Sequence, residues 1–166
     1  MTSIRNERST DAAAVEAVII AAFRSASHSS GTEQAIVRVL RESGQLVVSL
    51  VAEEEGRLVG HVAVSPVTIS GAPGWYGLGP VSVAPEQQGR GIGTLLITEA
   101  LSRLRALGAA GCVVLGEPGY YSRFGFSSEP GLVLPGVAGG YFQAILFSGV
   151  LPTGQVEYHP AFEATD

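Results

Sequence analysis

The sequence predicts one α/β domain (α+β mixed), with helices and strands gathered around a single central mixed sheet over residues 1–166. Three observations predict it. Stretches with helical apolar spacing are interleaved with short β-rich stretches, as a mixed architecture requires. Glycine and proline clusters punctuate them at the spacing of one element each. No repeat, charge block or low-complexity linker divides the chain, and 46% hydrophobic against 15% charged residues can fill one core.

Taken in order, residues 2–7 read as a first short strand. Thr10 or Asp11 can cap a helix whose Val15, Val18, Ile19, Ala22 and Phe23 follow helical spacing. Residues 25–31, rich in serine and closed by Gly31, form a loop. A second helix follows over about 32–43, with Ile36, Val39 and Leu40 on one face and Gly44 beyond its end. Two strands, Leu46–Glu53 and Leu58–Ile69, flank the turn Glu54-Glu55-Gly56-Arg57. A fourth strand runs from about Tyr76 to Val83, interrupted by Gly79-Pro80. Proline cannot serve in a continuous central ladder, so a bulge or splay is expected there. From Gly91 a long helix lines up Gly93, Leu96, Ile97, Ala100, Leu101 and Leu104 until Gly108 stops it. Cys112–Leu115 is apolar throughout, as a buried strand would be. Pro118–Phe124 is a short helical turn ending at Gly125-Phe126, and the tail offers strands near Tyr141–Phe147 and Gln155–Tyr158. The predicted order is β-α-α-β-β-β-α-β-α-β-β.

Composition removes several functional classes. A net charge of −5 argues against a nucleic-acid partner, which needs clustered cations. All ten basic side chains are arginines, so Schiff-base chemistry and a P-loop lysine are excluded. Cys112 stands alone and cannot form an internal disulfide, which suits a reducing compartment; among Val and Leu neighbours it reads as a buried, inert thiol. Residues 1–7 hold no apolar signal core, and Ala12–Phe23, broken by Glu16, is too short to span a bilayer. The expectation is a soluble, cytoplasmic protein with no membrane partner and no metal.

The segment Val81-Ser82-Val83-Ala84-Pro85-Glu86-Gln87-Gln88-Gly89-Arg90-Gly91-Ile92-Gly93-Thr94 carries the chemistry. It reads as a strand, a glycine-spaced turn and the first turn of a helix. A helix start presents unpaired N–H groups and the positive end of the dipole. Glycines at 89, 91 and 93 remove the Cβ atoms that would keep a phosphate from those groups, and Arg90 can add a charge-assisted bond. An anion site follows, with a tight packing turn as the plainer alternative. No Gly-Lys-Ser/Thr is present for a P-loop. A dinucleotide fingerprint is nearer, with Glu117 as its ribose-binding acid, but Leu96 stands where it needs Gly or Ala and several strands precede it.

The wording Val-x-Val-x-Pro-x-x-Gln-x-x-Gly-x-Gly-x-Leu-Leu resembles motif A of the GNAT superfamily of N-acetyltransferases, with Gln88, Gly91 and Gly93 at its fixed positions. Tyr121-Ser122-Arg123-Phe124-Gly125-Phe126 resembles the second signature, Tyr-x-x-x-Gly-Phe. The run Gly116-Glu117-Pro118-Gly119-Tyr120-Tyr121 and the closing Glu157-Tyr158-His159-Pro160-Ala161-Phe162 resemble the YhbS-like branch.

The resemblance implies the GNAT fold, with the sheet splayed between its fourth and fifth strands, and an acyltransferase. It implies acetyl-coenzyme A as co-substrate and direct attack by a small-molecule or peptide amine in a ternary complex. It also admits a homodimer. Carried over, Val81, Ser82, Val83, Gln88, Gly89, Arg90, Gly91, Ile92, Gly93, Thr94, Tyr121 and Phe124 would bind the cofactor. Of these, the amides of residues 88–94 would hold its pyrophosphate, and the main chain of Val81 and Val83 would pair with pantetheine. The Val83 N–H would stabilise the oxyanion; such a donor is worth about 3 kcal/mol. Tyr121 falls at the general acid's position, with Tyr120 as its understudy and simple packing as the alternative. Glu33, His61 and Glu117 are candidate bases, although His61 within an apolar strand also reads as a core histidine. The acceptor would lie against residues 23–33 and a final hairpin over 141–160, which include His28, Tyr141, Phe142, Tyr158 and His159. One departure is the absence of Asn from Leu115-Gly116-Glu117-Pro118-Gly119, where many members place one. The alternative function is a non-catalytic CoA-binding module on the same scaffold.

Overall fold

The computed structural model describes residues 1–24 and 31–165. The strands are β1 (Thr2–Asn6), β2 (Val48–Glu54), β3 (Arg57–Ile69), β4 (Trp75–Val83), β5 (Gly111–Leu115), β6 (Leu132–Val133), β7 (Phe142–Leu146) and β8 (Gly154–Tyr158). The helices are α1 (Ala12–Phe23), α2 (Glu33–Glu42), α3 (Ile92–Ala106) and α4 (Pro118–Tyr121). The order is the predicted one with β6 added, a strand of two residues and too short to show an alternation. The predicted loop over 25–31 lies outside the described residues except for Gly31.

Asp11, of the two predicted caps, opens α1. Its carboxylate accepts the Arg8 N–H at 2.7 Å and pairs with Arg5 at 2.8 Å. The Arg5 guanidinium, aided by that N–H, pulls the Asp11 pKa down to about 2. The β2–β3 hairpin turns on Glu55 and Gly56, with φ of 49° and 78°, the mirror-image turn that matches strand twist. At the other end of α3, the Gly108 and Ala109 N–H groups return to the carbonyls of Arg105 and Leu104, both at 3.0 Å, and close the helix.

The sheet runs β1-β2-β3-β4-β5-β7. Its neighbours are antiparallel except β4 and β5, a parallel pair whose crossover is α3. A doubly wound dinucleotide-binding sheet is mostly parallel, so this topology sets that alternative aside. Alternation along β2 feeds two layers: Val48, Leu50 and Ala52 pack with Leu96, Ile97 and Leu104 of α3, while Val51 packs with Val15 and Ile19 of α1. The two tail strands do not form the expected hairpin. β7 takes the free edge of β5, and β8 pairs with Val67–Ile69 at the end of β3. Residues 147–153 between them are too long a link for a tight turn.

The feature that shapes the site is the parting of β4 from β5. Pairing runs from Trp75↔Gly111 to Leu78↔Val114 and stops. Gly79-Pro80, joined by a cis peptide bond, follows at once, and the register of β4 against β3 shifts by one residue there. Val81–Val83 remain on β3, whereas Leu115 continues along β7, so a wedge opens as the sequence predicts.

Candidate active site

Gly91, at φ 83°, is the residue before α3, and its carbonyl accepts the Leu95 N–H at 3.1 Å. The amides of Ile92, Gly93 and Thr94 therefore stand in the first turn with no carbonyl of their own helix to meet. A Cβ on Gly93 would lie 3.0 Å from the Tyr120 hydroxyl and 3.8 Å from Val83. The bare α-carbons keep a channel open between α3, β4 and α4.

The edge of β4 supplies the channel's second set of polar groups. The Ala84 N–H donates to the Val59 carbonyl at 2.9 Å, so Val83 and Gly60 are opposed without exchanging hydrogen bonds. By alternation the main-chain groups of Val83 and Val81 face away from β3, toward the wedge. The Val83 carbonyl takes a hydrogen bond from Gln88 Nε2 at 3.0 Å, which ties the strand to the glycine turn. Ser82, one residue out of phase, pairs with His61, and its buried Oγ has no hydrogen-bond partner among the described residues.

Together these groups line a groove of about 510 Å³ with Val81, Val83, Gln88, Gly89, Gly91, Ile92, Gly93, Thr94 and Tyr121 along it. Arg90 is not brought in; its guanidinium turns to Glu54 at 3.2 Å and to Gln87. Arg123 faces the groove instead, donating to Thr94 Oγ1 at 2.8 Å with its guanidinium 4.8 Å over the Tyr120 ring. Arg123 occupies a variable position of the Tyr-x-x-x-Gly-Phe signature, and its one mark in the sequence is a cation two residues ahead of Gly125-Phe126. Phe124 backs the tyrosines, with ring centroids 5.5 Å from Tyr120 and 6.3 Å from Tyr121.

Tyr121 stands where the groove meets a second cavity, of about 440 Å³, and Phe23 and Val81 share that boundary. Burial, with Tyr120 alongside, pushes the Tyr121 phenol up to about 12, so it holds its proton throughout the physiological range. The second cavity is walled by Glu33 and Ile36 of α2, Leu78–Val81 of β4, Leu115, Leu134, Tyr158 and Phe162.

Of the three candidate bases only Glu33 lines this cavity. Glu117 is exposed and borders a separate hollow with Tyr141. His61 is fully buried on β3, 2.9 Å from Ser49 Oγ and 3.8 Å from Glu7. Burial lowers its pKa to about 4 and leaves the ring neutral near pH 7. Among the residues expected near an acceptor, Tyr158 lines the cavity and Phe142 is in the core. His159 caps the turn after β8 by accepting the Ala161 N–H at 2.9 Å, and His28 lies outside the described residues. Cys112 is fully buried, and burial drives its thiol well above the usual range. Among the described residues no group of three or more His, Cys, Asp or Glu could hold a metal ion, and no helix is long and apolar enough to cross a membrane.

A mixed sheet wedged open beside a bared helix start is the arrangement that the resemblance to the GNAT superfamily implies. Residues 14–126 match the Acetyltransferase (GNAT) family. The chain belongs to the GNAT acetyltransferase family and is an acyltransferase. It is 36% identical over 167 residues to the uncharacterized N-acetyltransferase YhbS of Escherichia coli K12, covering 96% of this chain and 97% of that protein. The crystal structure of Escherichia coli YhbS in complex with CoA has a TM-score of 0.87 to it, covering 98% of this chain and 92% of that one. A GNAT family acetyltransferase from Brucella melitensis, solved in complex with acetyl-CoA, is 50% identical with a TM-score of 0.88, covering 98% of each chain.

Proposed function

We propose that this chain transfers the acetyl group of acetyl-coenzyme A to a primary amine, by direct attack in a ternary complex. The observation that carries the reading is the convergence on one groove of the first amides of α3, the outward main chain of Val81 and Val83, and the Tyr121 phenol. The fit is good: bared amides and Arg123 suit a diphosphate, and a strand edge with an alternating free main chain suits an amide-bearing arm. Acetyl-coenzyme A would supply a thioester whose acyl carbon bonds to the amine nitrogen as its carbon–sulfur bond breaks.

The chain's part is positioning and proton handling. The Val83 N–H would face the carbonyl oxygen on which negative charge gathers. Tyr121 would give its proton to the departing sulfur. Set against an ordinary thiol near 8.5, a buried phenol at about 12 leaves that transfer uphill by about three to four pK units. The dry cleft that raises the phenol also raises the thiolate's proton affinity, which narrows the gap. Glu33, in the adjoining cavity, would take up the proton the amine must lose.

Titration calorimetry with coenzyme A, followed by thiol release from acetyl-coenzyme A with a panel of amines, tests the reading. Binding and turnover are expected. Binding without turnover for any amine would favour the non-catalytic module, and no binding would remove the cofactor assignment.

A further inference from the structure

Resting on that proposed transfer, we infer that the cavity beyond Tyr121 selects a small primary amine carried on an apolar, preferably aromatic, body, with Glu33 receiving the ammonium. The cavity has the volume of a small-molecule site, about 440 Å³. Its walls are largely hydrocarbon and aromatic: Phe23 ends α1, Ile36 and Leu134 face it from α2 and from beyond β6, and Tyr158 and Phe162 close it. Tyr158 and Phe162 are locked edge to face, with centroids 4.8 Å apart at 69°. Into this lining the described residues bring one carboxylate, Glu33.

Each feature discriminates. Ring faces and a carboxylate attract a single ammonium, and the hydrocarbon accepts an apolar body. A polyamine would have to strip water from further ammonium groups against that hydrocarbon. An amino acid would set its own carboxylate in a space already holding Glu33, a like-charge pairing that costs binding. 2-Phenylethylamine and L-phenylalanine differ only by that carboxylate, so the pair isolates the charge argument.

Initial rates of thiol release from acetyl-coenzyme A with 2-phenylethylamine, L-phenylalanine and spermidine test the inference. The expected kcat/KM for 2-phenylethylamine exceeds each of the others by about tenfold or more. Glu33→Gln is expected to lower kcat for both amines, as loss of the base requires, and also to raise KM for 2-phenylethylamine and shrink its advantage over L-phenylalanine, with coenzyme A affinity unchanged in calorimetry. Should that variant fail to fold, Phe162→Ala is expected to raise KM for 2-phenylethylamine by about tenfold, again without loss of coenzyme A affinity. Equal or better turnover of phenylalanine or spermidine, or an advantage over phenylalanine unmoved by Glu33→Gln, overturns the inference. So does rejection of 2-phenylethylamine by protein that binds coenzyme A, which leaves the cofactor reading standing. Absence of coenzyme A binding removes both.

Discussion

The two hollows that meet at Tyr121 are built on opposite plans. The groove is made mostly of main chain, from residues that follow one another between Val81 and Thr94, with α4 laid across. Its polar groups are fixed by backbone geometry, so it suits a ligand part that never changes. The cavity beyond is made of side chains from both ends of the chain and the middle: Phe23, Glu33, Leu78, Leu134, Phe162. Of these, only Leu78 stands in the sheet's ladder. Main-chain sites hold what a family shares, and side-chain sites hold what distinguishes its members.

That contrast can be broken at its strongest point first. Gly91→Asp or Gly93→Asp places a carboxylate at the bared helix start and, at 93, a side chain against Tyr120. Coenzyme A affinity by calorimetry is expected to fall by about a hundredfold or more, since charge and steric blockade act together. Wild-type affinity in both variants would mean that the groove binds nothing through these amides.

Tyr121→Phe probes the boundary between the hollows. A lost general acid typically costs 10²–10⁴ in rate, so kcat is expected to drop by about a hundredfold while coenzyme A affinity stays within about threefold. The raised phenol pKa gives a sign to the pH dependence: the acid form is lost only as pH climbs toward about 12, so Tyr121 should impose no decline in kcat between pH 7 and 10. A decline confined to the wild type in that window would contradict the burial seen here.

The smallest effect sharpens the comparison within the groove itself. Arg123→Ala is expected to weaken coenzyme A by about tenfold, the worth of one partly exposed charge-assisted bond. Arg90→Ala, whose guanidinium is engaged by Glu54, is expected to change it by less than about threefold. The reverse order would show that the turn presents Arg90 once ligand is bound.

Most of the architecture was legible from local pattern. The break in β4 could be read from Gly79-Pro80, the start of α3 from its glycines, and its end from Gly108, because each is governed by neighbours a few residues away. β6 was not legible: two residues carry no period, and it exists only because β8 offers it an edge. The tail pairing is not legible for a related reason. Nothing in Tyr141–Phe147 or Gln155–Tyr158 records that β5 and the end of β3 are both left with free edges.

The same division runs through the site. The sequence by itself determined the glycine turn that opens α3, the strand edge beside it and the tyrosine pair, since amides, missing Cβ atoms and i-to-i+1 neighbours are properties of a short segment. Only the tertiary structure decided that Arg123 and not Arg90 faces the groove, that Glu33 shares a cavity with Tyr121 while His61 is sealed within the sheet on β3, and that Phe23 and Phe162 wall the same cavity. The physical reason is packing. Which side chains from remote segments share a space depends on how helices settle on the sheet, and no spacing along the chain encodes it.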